Sequence, residues 1–322
     1  MIRPRAAAAG IGARIPTQRL ALSILASLIL AGVAIAVRLP AMNLGDFSSH
    51  AAAVQRALDG DPVYTAVQLA GPYHLPDISR GRGFIYPPTA ILLLIPAALG
   101  SAWAVVLLVA SLGLMVFVMT EIARRELPRY AWIGWPLAGL LLISPIAGDA
   151  IAAGQVTPLL AAGYGAAWLW PRAGGIVAVM GGALKIYPLV LFAWAFRNRL
   201  SLRLPLILSL LLIVAASAWL GPGIWLDFWT AWQNAVPQCA TPSLGSLACT
   251  FGRPGEFTAL GAALALALLA TRVPGPAVAF LMLAVASVIA APDLFPNYLL
   301  IVVMGALPLT CRLASRVLSP PD

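Results

Sequence analysis

Asp46 is the carboxylate whose place in the sequence best suits acid–base chemistry. It follows the apolar run 20–37, which ends at Arg38, so we expect it just outside a membrane. A carboxylate at that depth can take a proton from an incoming hydroxyl. A structural role competes with this, because Asp46 directly precedes a helical pattern over 47–59 and Asp is a favoured N-cap. A helix N-terminus also stabilises the charged form, so on this residue alone capping is the stronger interpretation.

Lys185 is the only lysine in the chain, and it stands in the segment Lys185-Ile186-Tyr187-Pro188 within the apolar run 173–196. A charge inside a membrane segment is costly and by default functional, and an anionic phosphate is its natural partner. The alternative is that its long side chain extends to the membrane surface. Because Lys185 lies near the middle of its run, phosphate binding is the favoured hypothesis.

Other polar or aromatic residues stand at the ends of apolar runs. The segment Phe84-Ile85-Tyr86-Pro87-Pro88 either starts a helix, where proline is welcome, or anchors aromatics at an interface. Gly154-Gln155 is either a plain loop or a hydrogen-bonding site. The corner 292–298 ends in Asn297-Tyr298, and the loop bases Arg80 and Arg82 are either solvated or meet phosphate.

The composition identifies the solvent of these elements as lipid. Of 322 residues, 61% are hydrophobic and 10% are charged, whereas a soluble domain is about 45–50% apolar. An ordinary soluble enzyme and a disordered chain are therefore excluded. The net charge of +9 comes mostly from bases between apolar runs, which orient spans and meet lipid headgroups rather than nucleic acid.

Several common chemistries lack their motifs in this sequence. It contains no P-loop, Rossmann fingerprint, HExxH or G-x-S-x-G segment. With two histidines and no His/Cys cluster, a zinc site is not expected. We predict no cofactor, and the sequence leaves metal dependence undecided. Cys239 and Cys249 fall in one predicted outer loop, where a disulfide is plausible and two free thiols are the alternative.

The apolar runs predict one integral membrane domain over 1–322, with a basic cytoplasmic tail at 1–19. We read 20–37 as a first span rather than a signal peptide. Two long outer loops follow, at 39–85 and 221–255, and the first carries an amphipathic helix at the membrane surface. If the short run 89–99 crosses, then three arginines (Arg124, Arg125 and Arg129) fall outside, against the positive-inside rule. The count is therefore ten spans, or eight plus re-entrant segments at 89–99 and 173–196.

Taken together, these segments resemble glycosyltransferase family 87, a family of polytopic, mannosyltransferase-like membrane enzymes of the GT-C type. The first loop carries Asp46, Ala53, Leu58, Gly60 and Pro62-Val63-Tyr64 in the family's order. The later segments resemble the family's F-x-Y-P-P, G-Q and K-x-Y-P motifs. The chain departs from the family at His50, where Tyr is common, and at Thr157, where Asn is common. The resemblance implies an all-α GT-C-type glycosyltransferase fold with about eight to ten transmembrane helices.

The resemblance also implies an activity. The donor would be a polyprenyl-phosphate sugar, often mannose, used on the periplasmic face of a bacterial inner membrane, and the acceptor a glycolipid or polysaccharide. Asp46 would be the general base of a single inverting displacement, which places its catalytic role ahead of capping. The remaining candidates are substrate-binding residues: His50, Tyr64, Arg80, Arg82, Tyr86, Gln155, Lys185, Tyr187, Asn297 and Tyr298.

Two other classes of protein remain open at this point. A lipid or sugar transporter or flippase would also need intramembrane charge and broken helices, although the sequence contains no convincing internal repeat. A membrane scaffold would use the same motifs only as anchors. Formation of a new glycosidic bond separates an enzyme from both.

Overall fold

Helices form most of the described chain, which comprises residues 17–74, 83–237, 239, 243–291 and 293–318 of this computed structural model. The first eight α-helices are α1 Thr17–Arg38, α2 Gly45–Asp59, α3 Ala66–Ala70, α4 Thr89–Leu94, α5 Ser101–Glu126, α6 Gly134–Ile143, α7 Pro145–Ala153 and α8 Thr157–Leu169. The remaining α-helices are α9 Gly174–Leu184, α10 Phe192–Arg197, α11 Arg203–Leu220, α12 Ile224–Asn234, α13 Leu247–Phe251, α14 Arg253–Ala270, α15 Pro276–Ile289 and α16 Leu299–Leu318. Short 3-10 helices occur at Leu39–Ala41, Ile95–Leu99, Pro128–Ile133, Pro171–Ala173, Tyr187–Leu191 and Pro296–Tyr298. Strands β1 Tyr73–His74 and β2 Ala235–Val236 form one parallel pair.

The lengths and composition of the helices confirm an all-α polytopic membrane protein. Within the described residues, four elements are long and apolar enough to cross a membrane: Thr17–Ala41, Ser101–Glu126, Arg203–Leu220 and Pro296–Leu318. A fifth is added if Pro128–Ile143 and Pro145–Ala153, which meet at a 59° bend, are one span. The other apolar runs are divided into shorter helices, so this criterion finds fewer spans than the eight to ten predicted.

Helices α1 and α5 pack side by side in opposite directions. Gly113 in the middle of α5 lies against Leu28 of α1, where an added Cβ would come within 2.7 Å of the leucine side chain. The start of α5 packs on α2 through Ala104 and Phe47. Toward its other end, Arg125 donates to the Leu169 carbonyl at 2.8 Å. We call the end of the bundle that carries α2 the site end and the end that carries Arg125 the basic end.

The run 89–99 doubles back at the site end instead of crossing. Helix α4 has six residues, about 9 Å of helix, against a hydrocarbon core of about 30 Å. Both α4 and the 3-10 helix Ile95–Leu99 contact α2, so the segment begins and ends beside the same helix. Helix α5 then carries Arg124 and Arg125 to the basic end, which removes the charge conflict of the ten-span arrangement.

The run 173–196 forms a hairpin whose tip is Lys185. The first arm of the hairpin, α9, begins at Gly174, and this residue packs against Trp194 of α10 in the second arm. The start of the first arm and the end of the second arm therefore lie side by side. Near the tip, an added Cβ at Gly181 would lie 2.8 Å from the ring of Pro188. Glycine thus permits the close packing of the two arms. The prediction that Lys185 and Pro188 interrupt this run is confirmed.

Of the described helices, eight then run between the two ends: α1, α5, α6, α8, α11, α14, α15 and α16. Contacts at the basic end fix several directions. Arg197 Nη1 donates to the Ala270 carbonyl at 2.8 Å, which joins α10 to the end of α14. Arg312 Nε donates to Glu126 Oε2 at 2.7 Å, which joins α16 to the end of α5. These directions agree with the alternative of eight spans and two re-entrant segments, and the number of spans stays a prediction.

The two long loops meet at the site end. Strand β1 of the first loop pairs with β2 of the second, and Asn234 Nδ2 donates to the Gln68 carbonyl at 2.9 Å. The second loop contains α12 and α13, and a disulfide joins Cys239 to Cys249. The pairing that the sequence left open is therefore present.

Helix α2 begins two residues before the predicted 47–59 and ends where predicted. Gly60 follows it with φ +79, a left-handed conformation that glycine adopts easily. The buried face of α2 includes Phe47, His50 and Val54, and it packs against α4 and the 3-10 helix Ile95–Leu99. This packing holds the first turn of α2 in a fixed place at the site end.

Candidate active site

Asp46 lies in the first turn of α2 and does not cap it. The residue before the helix is Leu44, in a left-handed conformation with φ 50. The Gly45 N–H at the helix start donates to Asn43 Oδ1 at 3.0 Å. The interpretation of Asp46 as N-cap is wrong, because the turn at Leu44 starts the helix one residue before Asp46. Its carboxylate is therefore not used in capping and can interact with other groups at the site end.

The surroundings of Asp46 suit a general base. Burial raises the pKa of Asp46 to about 6, the positive charge of Lys185 opposes this rise, and the negative charge of Asp149 adds to it. A carboxyl group with this pKa is mostly ionised at neutral pH and is a stronger base than an ordinary aspartate. General bases work best when their pKa lies near the working pH.

Lys185 is buried and 7% exposed, at the tip of the hairpin. Its ammonium Nζ lies 3.3 Å from both Gln155 Oε1 and the Tyr298 hydroxyl. Three aromatic rings surround the charge, with centroids 4.5 Å away at Tyr298, 5.3 Å at Tyr86 and 5.8 Å at Tyr187. The alternative in which Lys185 extends to the membrane surface is wrong, because these contacts hold the ammonium inside the protein.

This cluster joins the separate motifs of the sequence. Tyr86 comes from the F-x-Y-P-P segment before α4, Gln155 from the turn between α7 and α8, and Lys185 from the hairpin tip. Tyr298 comes from the 3-10 helix that leads into α16. Segments more than 200 residues apart in sequence thus supply one site, which the order of the motifs alone does not show.

His50 contributes a neutral imidazole. It is 1% exposed, and its ring meets Tyr86 edge-on with centroids 4.5 Å apart. Burial, assisted by the charge of Lys185, lowers the pKa of His50 to about 3. Its Nε2 atom is buried and has no hydrogen-bond partner among the described residues. A buried polar atom without a partner is costly, so this nitrogen is available for a ligand.

A second polar group adjoins the cluster and contains a residue that sequence reasoning missed. Asp149 Oδ2 accepts hydrogen bonds from Asn297 Nδ2 at 2.6 Å and from the Asn297 backbone N–H at 3.3 Å. Thr157 Oγ1 donates to Asn297 Oδ1 at 2.9 Å. Asp149 is the only charged residue between positions 131 and 170. The signal that drew attention to Lys185, a lone charge in apolar sequence, therefore also marked Asp149.

One predicted binding residue, Tyr64, lies behind the cluster, and two others fall outside the described part of the chain. Tyr64 is 1% exposed, and its hydroxyl donates to the Tyr86 carbonyl at 2.6 Å. It supports Tyr86 from behind rather than facing the Lys185 cluster. Arg80 and Arg82 lie outside the described residues.

An apolar cavity of about 460 Å³ leads to the cluster between α4, α5, α8 and α9. Phe47, His50 and Gln155 line one end of it, and along α5 its wall runs from Ala104 to Leu114. The ten-residue separation between them corresponds to about 15 Å of helix. Leu114 is 42% exposed on the outer surface of its span. The cavity thus connects the membrane-facing surface with the polar cluster.

The described residues contain no group of three or more His, Cys, Asp or Glu side chains arranged to hold a metal ion.

The fold and the site define a polytopic membrane protein with a buried lysine, a nearby partly buried aspartate and an adjoining apolar cavity. A sequence model of glycosyltransferase family 87 matches residues 84–315, more than half of the chain. The protein belongs to glycosyltransferase family 87. The match includes the F-x-Y-P-P, G-Q and K-x-Y-P segments and begins after Asp46. No curated protein and no solved structure matches the chain significantly.

Proposed function

We propose that this membrane glycosyltransferase moves a sugar from a polyprenyl-phosphate donor to a hydroxyl of a glycolipid or polysaccharide. The observation that carries the proposal is the charge interaction between Asp46 and the buried Lys185 ammonium, whose neighbour Gln155 lines an apolar cavity. Sugar transfer from a lipid phosphate requires a base, a cation and a hydrocarbon-lined space. The choice of mannose rests on the family resemblance alone.

In the proposed reaction, Asp46 takes the proton of the acceptor hydroxyl. The acceptor oxygen attacks the anomeric carbon of the donor and forms the new glycosidic bond on the face opposite the phosphate. The bond from this carbon to the phosphate oxygen breaks with its electron pair, and the polyprenyl phosphate leaves as an anion. One displacement of this kind inverts the anomeric configuration.

Lys185 stabilises the charge that develops on the departing phosphate, as preorganised cations do in a water-poor site. We propose Arg80 and Arg82 as further cations near this phosphate. The free Nε2 of His50 and the amide of Gln155 border both the cavity and the cluster, which suits contacts to the phosphate or the sugar. Tyr86, Tyr187 and Tyr298 form the aromatic wall around Lys185, and Asn297 fixes the polar corner beside it.

The cavity supports a lipid-linked donor. Its walls are leucine, valine, alanine and glycine for most of their length, and its far end opens on the lipid-facing side of α5. Each CH₂ group buried there contributes about 0.8 kcal/mol to binding. We therefore propose that the first isoprene units of the donor lie in this cavity with the phosphate beside Lys185.

The charge distribution supports a periplasmic site in a bacterial inner membrane. Lys and Arg concentrate in the cytoplasmic connections of membrane proteins. The basic end carries most of the arginines of the described chain: Arg124, Arg125, Arg129, Arg172, Arg197, Arg199, Arg203, Arg272, Arg312 and Arg316. Placing this end in the cytoplasm puts Asp46 and both long loops outside.

The test is a transfer assay with the full-length protein in detergent, using radiolabelled polyprenyl-phosphate mannose and a glycolipid extract as acceptor. We expect label in a new glycolipid with inverted anomeric configuration. In parallel, the protein is placed in vesicles and the movement of the donor between leaflets is followed. Donor movement without any new glycosidic bond contradicts the proposal and favours the transporter.

A further inference from the structure

Asp149 is a second carboxylate beside the proposed active site. We propose that Asp149 is a positioning residue for sugar transfer: it orients Asn297 and Tyr298 around Lys185 and places a second negative charge near Asp46. The inference rests on the proposed function, since it assigns Asp149 a part in the same reaction.

Two hydrogen-bonded contacts and one peptide bond link Asp149 to Lys185. One carboxylate oxygen, Oδ2, receives both the side-chain and the backbone N–H of Asn297. Asn297 is 1% exposed, and its other amide atom accepts from Thr157. The next residue, Tyr298, places its hydroxyl 3.3 Å from Lys185 Nζ. A change at Asp149 therefore reaches the ammonium through two adjacent residues.

This contact differs from an ordinary helix cap. Ser144 caps α7, because its side chain accepts from the Ala147 N–H, whereas Asp149 lies in the interior of that helix. Its carboxylate reaches instead to the start of the 3-10 helix Pro296–Tyr298. The Asn297 backbone N–H, at the start of this short helix, has no partner within the helix and donates to the carboxylate. Helix α7 thus holds the start of the 3-10 helix Pro296–Tyr298 in place, and this helix positions Tyr298 in the site.

The charge of Asp149 also acts on Asp46. Burial is the largest cause of the raised pKa of Asp46, Lys185 opposes it, and Asp149 adds to it. Asp293 acts on Tyr298, and His50 lies one turn along α2 from Asp46. The groups whose charges interact with Asp46 are Lys185, Asp149, Tyr86 and Tyr298. Within this set Asp149 is the second carboxylate. Removing its charge makes ionisation of Asp46 easier and lowers the pKa of Asp46.

The experiment measures the pH profile of transfer by the full-length protein carrying Asp149→Asn. The change keeps the shape of the side chain and removes its charge. We expect kcat to fall on the order of tenfold at pH 8, because a charge-assisted hydrogen bond is lost. We also expect the acid limb of kcat to move to lower pH by about half a unit or more. A merely structural role of Asp149 does not predict the shift of the limb.

Two further variants complete the design. Asp59→Asn removes an acid from the same helix as Asp46 but 13 residues away, about 20 Å along the axis, and should leave the profile unchanged. The exchange Asp149→Asn with Asn297→Asp returns one carboxylate and one amide to the pair, and should restore part of the rate and the position of the limb.

The outcomes separate this inference from the proposed function. Wild-type protein that makes no glycosidic bond contradicts the proposed function itself. Active wild type with an unshifted acid limb in Asp149→Asn overturns the role of Asp149 alone. If that variant does not accumulate in membranes, Asn297→Ala interrupts the same link. A wild-type rate in Asn297→Ala then shows that the link to Tyr298 contributes nothing, and the inference is wrong.

Discussion

Replacing Lys185 by methionine removes the charge that the site holds among three tyrosines while keeping a side chain of similar length. In the free protein the change removes a buried ammonium, but it also leaves Gln155 Oε1 and the Tyr298 hydroxyl without their partner. These effects oppose each other, since a buried charge and an unsatisfied buried polar atom are both costly. We therefore expect Lys185→Met to fold, with a modest change in thermal stability.

The expected effect on catalysis is larger. A hydrogen bond to a charged group contributes about 1.5–3 kcal/mol, and 1.4 kcal/mol corresponds to about a tenfold change in an equilibrium constant. If Lys185 meets the donor phosphate, kcat/KM for the donor should fall roughly ten- to hundredfold in Lys185→Met. Because charge accumulates on the phosphate as the bond breaks, kcat should carry part of the loss.

The assay varies the polyprenyl-phosphate sugar at saturating acceptor in detergent, with thermal unfolding as the check on folding. Arg272→Met is the matched control, since it removes an exposed positive charge at the basic end. A Lys185→Met protein with wild-type kcat and wild-type donor KM refutes the role of Lys185 in phosphate binding.

Three further predictions concern the site and its cavity. The wild-type rate should fall as pH drops through about 6, because Asp46 must be deprotonated to act and its pKa is about 6. The pKa of His50 is about 3, so this residue should cause no change of rate between pH 5 and 8. A rate that stays constant from pH 5 to 7 contradicts the assignment of Asp46 as the base. His50→Phe keeps an aromatic ring against Tyr86 and removes the free Nε2, so transfer should drop while the melting temperature stays close to wild type. Leu107→Trp fills the cavity and should raise the donor KM, most of all for long polyprenyl chains. Val106 is 50% exposed on the lipid-facing side of the same helix, so Val106→Trp should leave the donor KM unchanged. Equal effects of the two variants across a series of chain lengths contradict the placement of the lipid tail.

The membrane class and the main polar segments are predictable from the sequence because they depend on local composition. An apolar fraction of 61% is incompatible with a soluble surface, and helix α2 ends at Gly60 as its pattern predicts. The lone lysine in apolar sequence marks Lys185 as functional, and the structure buries it in a polar and aromatic cluster. These features require no knowledge of which helices are neighbours.

Other features depend on packing and are missed. Whether Asp46 caps α2 depends on the backbone conformation of one residue, Leu44. The apolar periodicity of the sequence does not encode that conformation. The choice between ten spans and eight rests on whether α4 and the hairpin at Lys185 turn back, which only their contacts with α2 and with each other decide. Asp149 acquires its place through Asn297, 148 residues away in sequence.

The most direct test of the account is the rate of sugar transfer by Asp46→Asn, measured beside Asp59→Asn as the matched acid-to-amide control. Asparagine keeps the size of the side chain and cannot accept the acceptor proton. Loss of a general base typically costs 10²–10⁴ in rate. We predict a loss on the order of a hundredfold or more at pH 7 and above for Asp46→Asn, with wild-type behaviour for Asp59→Asn. An Asp46→Asn protein that inserts, folds and transfers sugar at the wild-type rate would contradict the account.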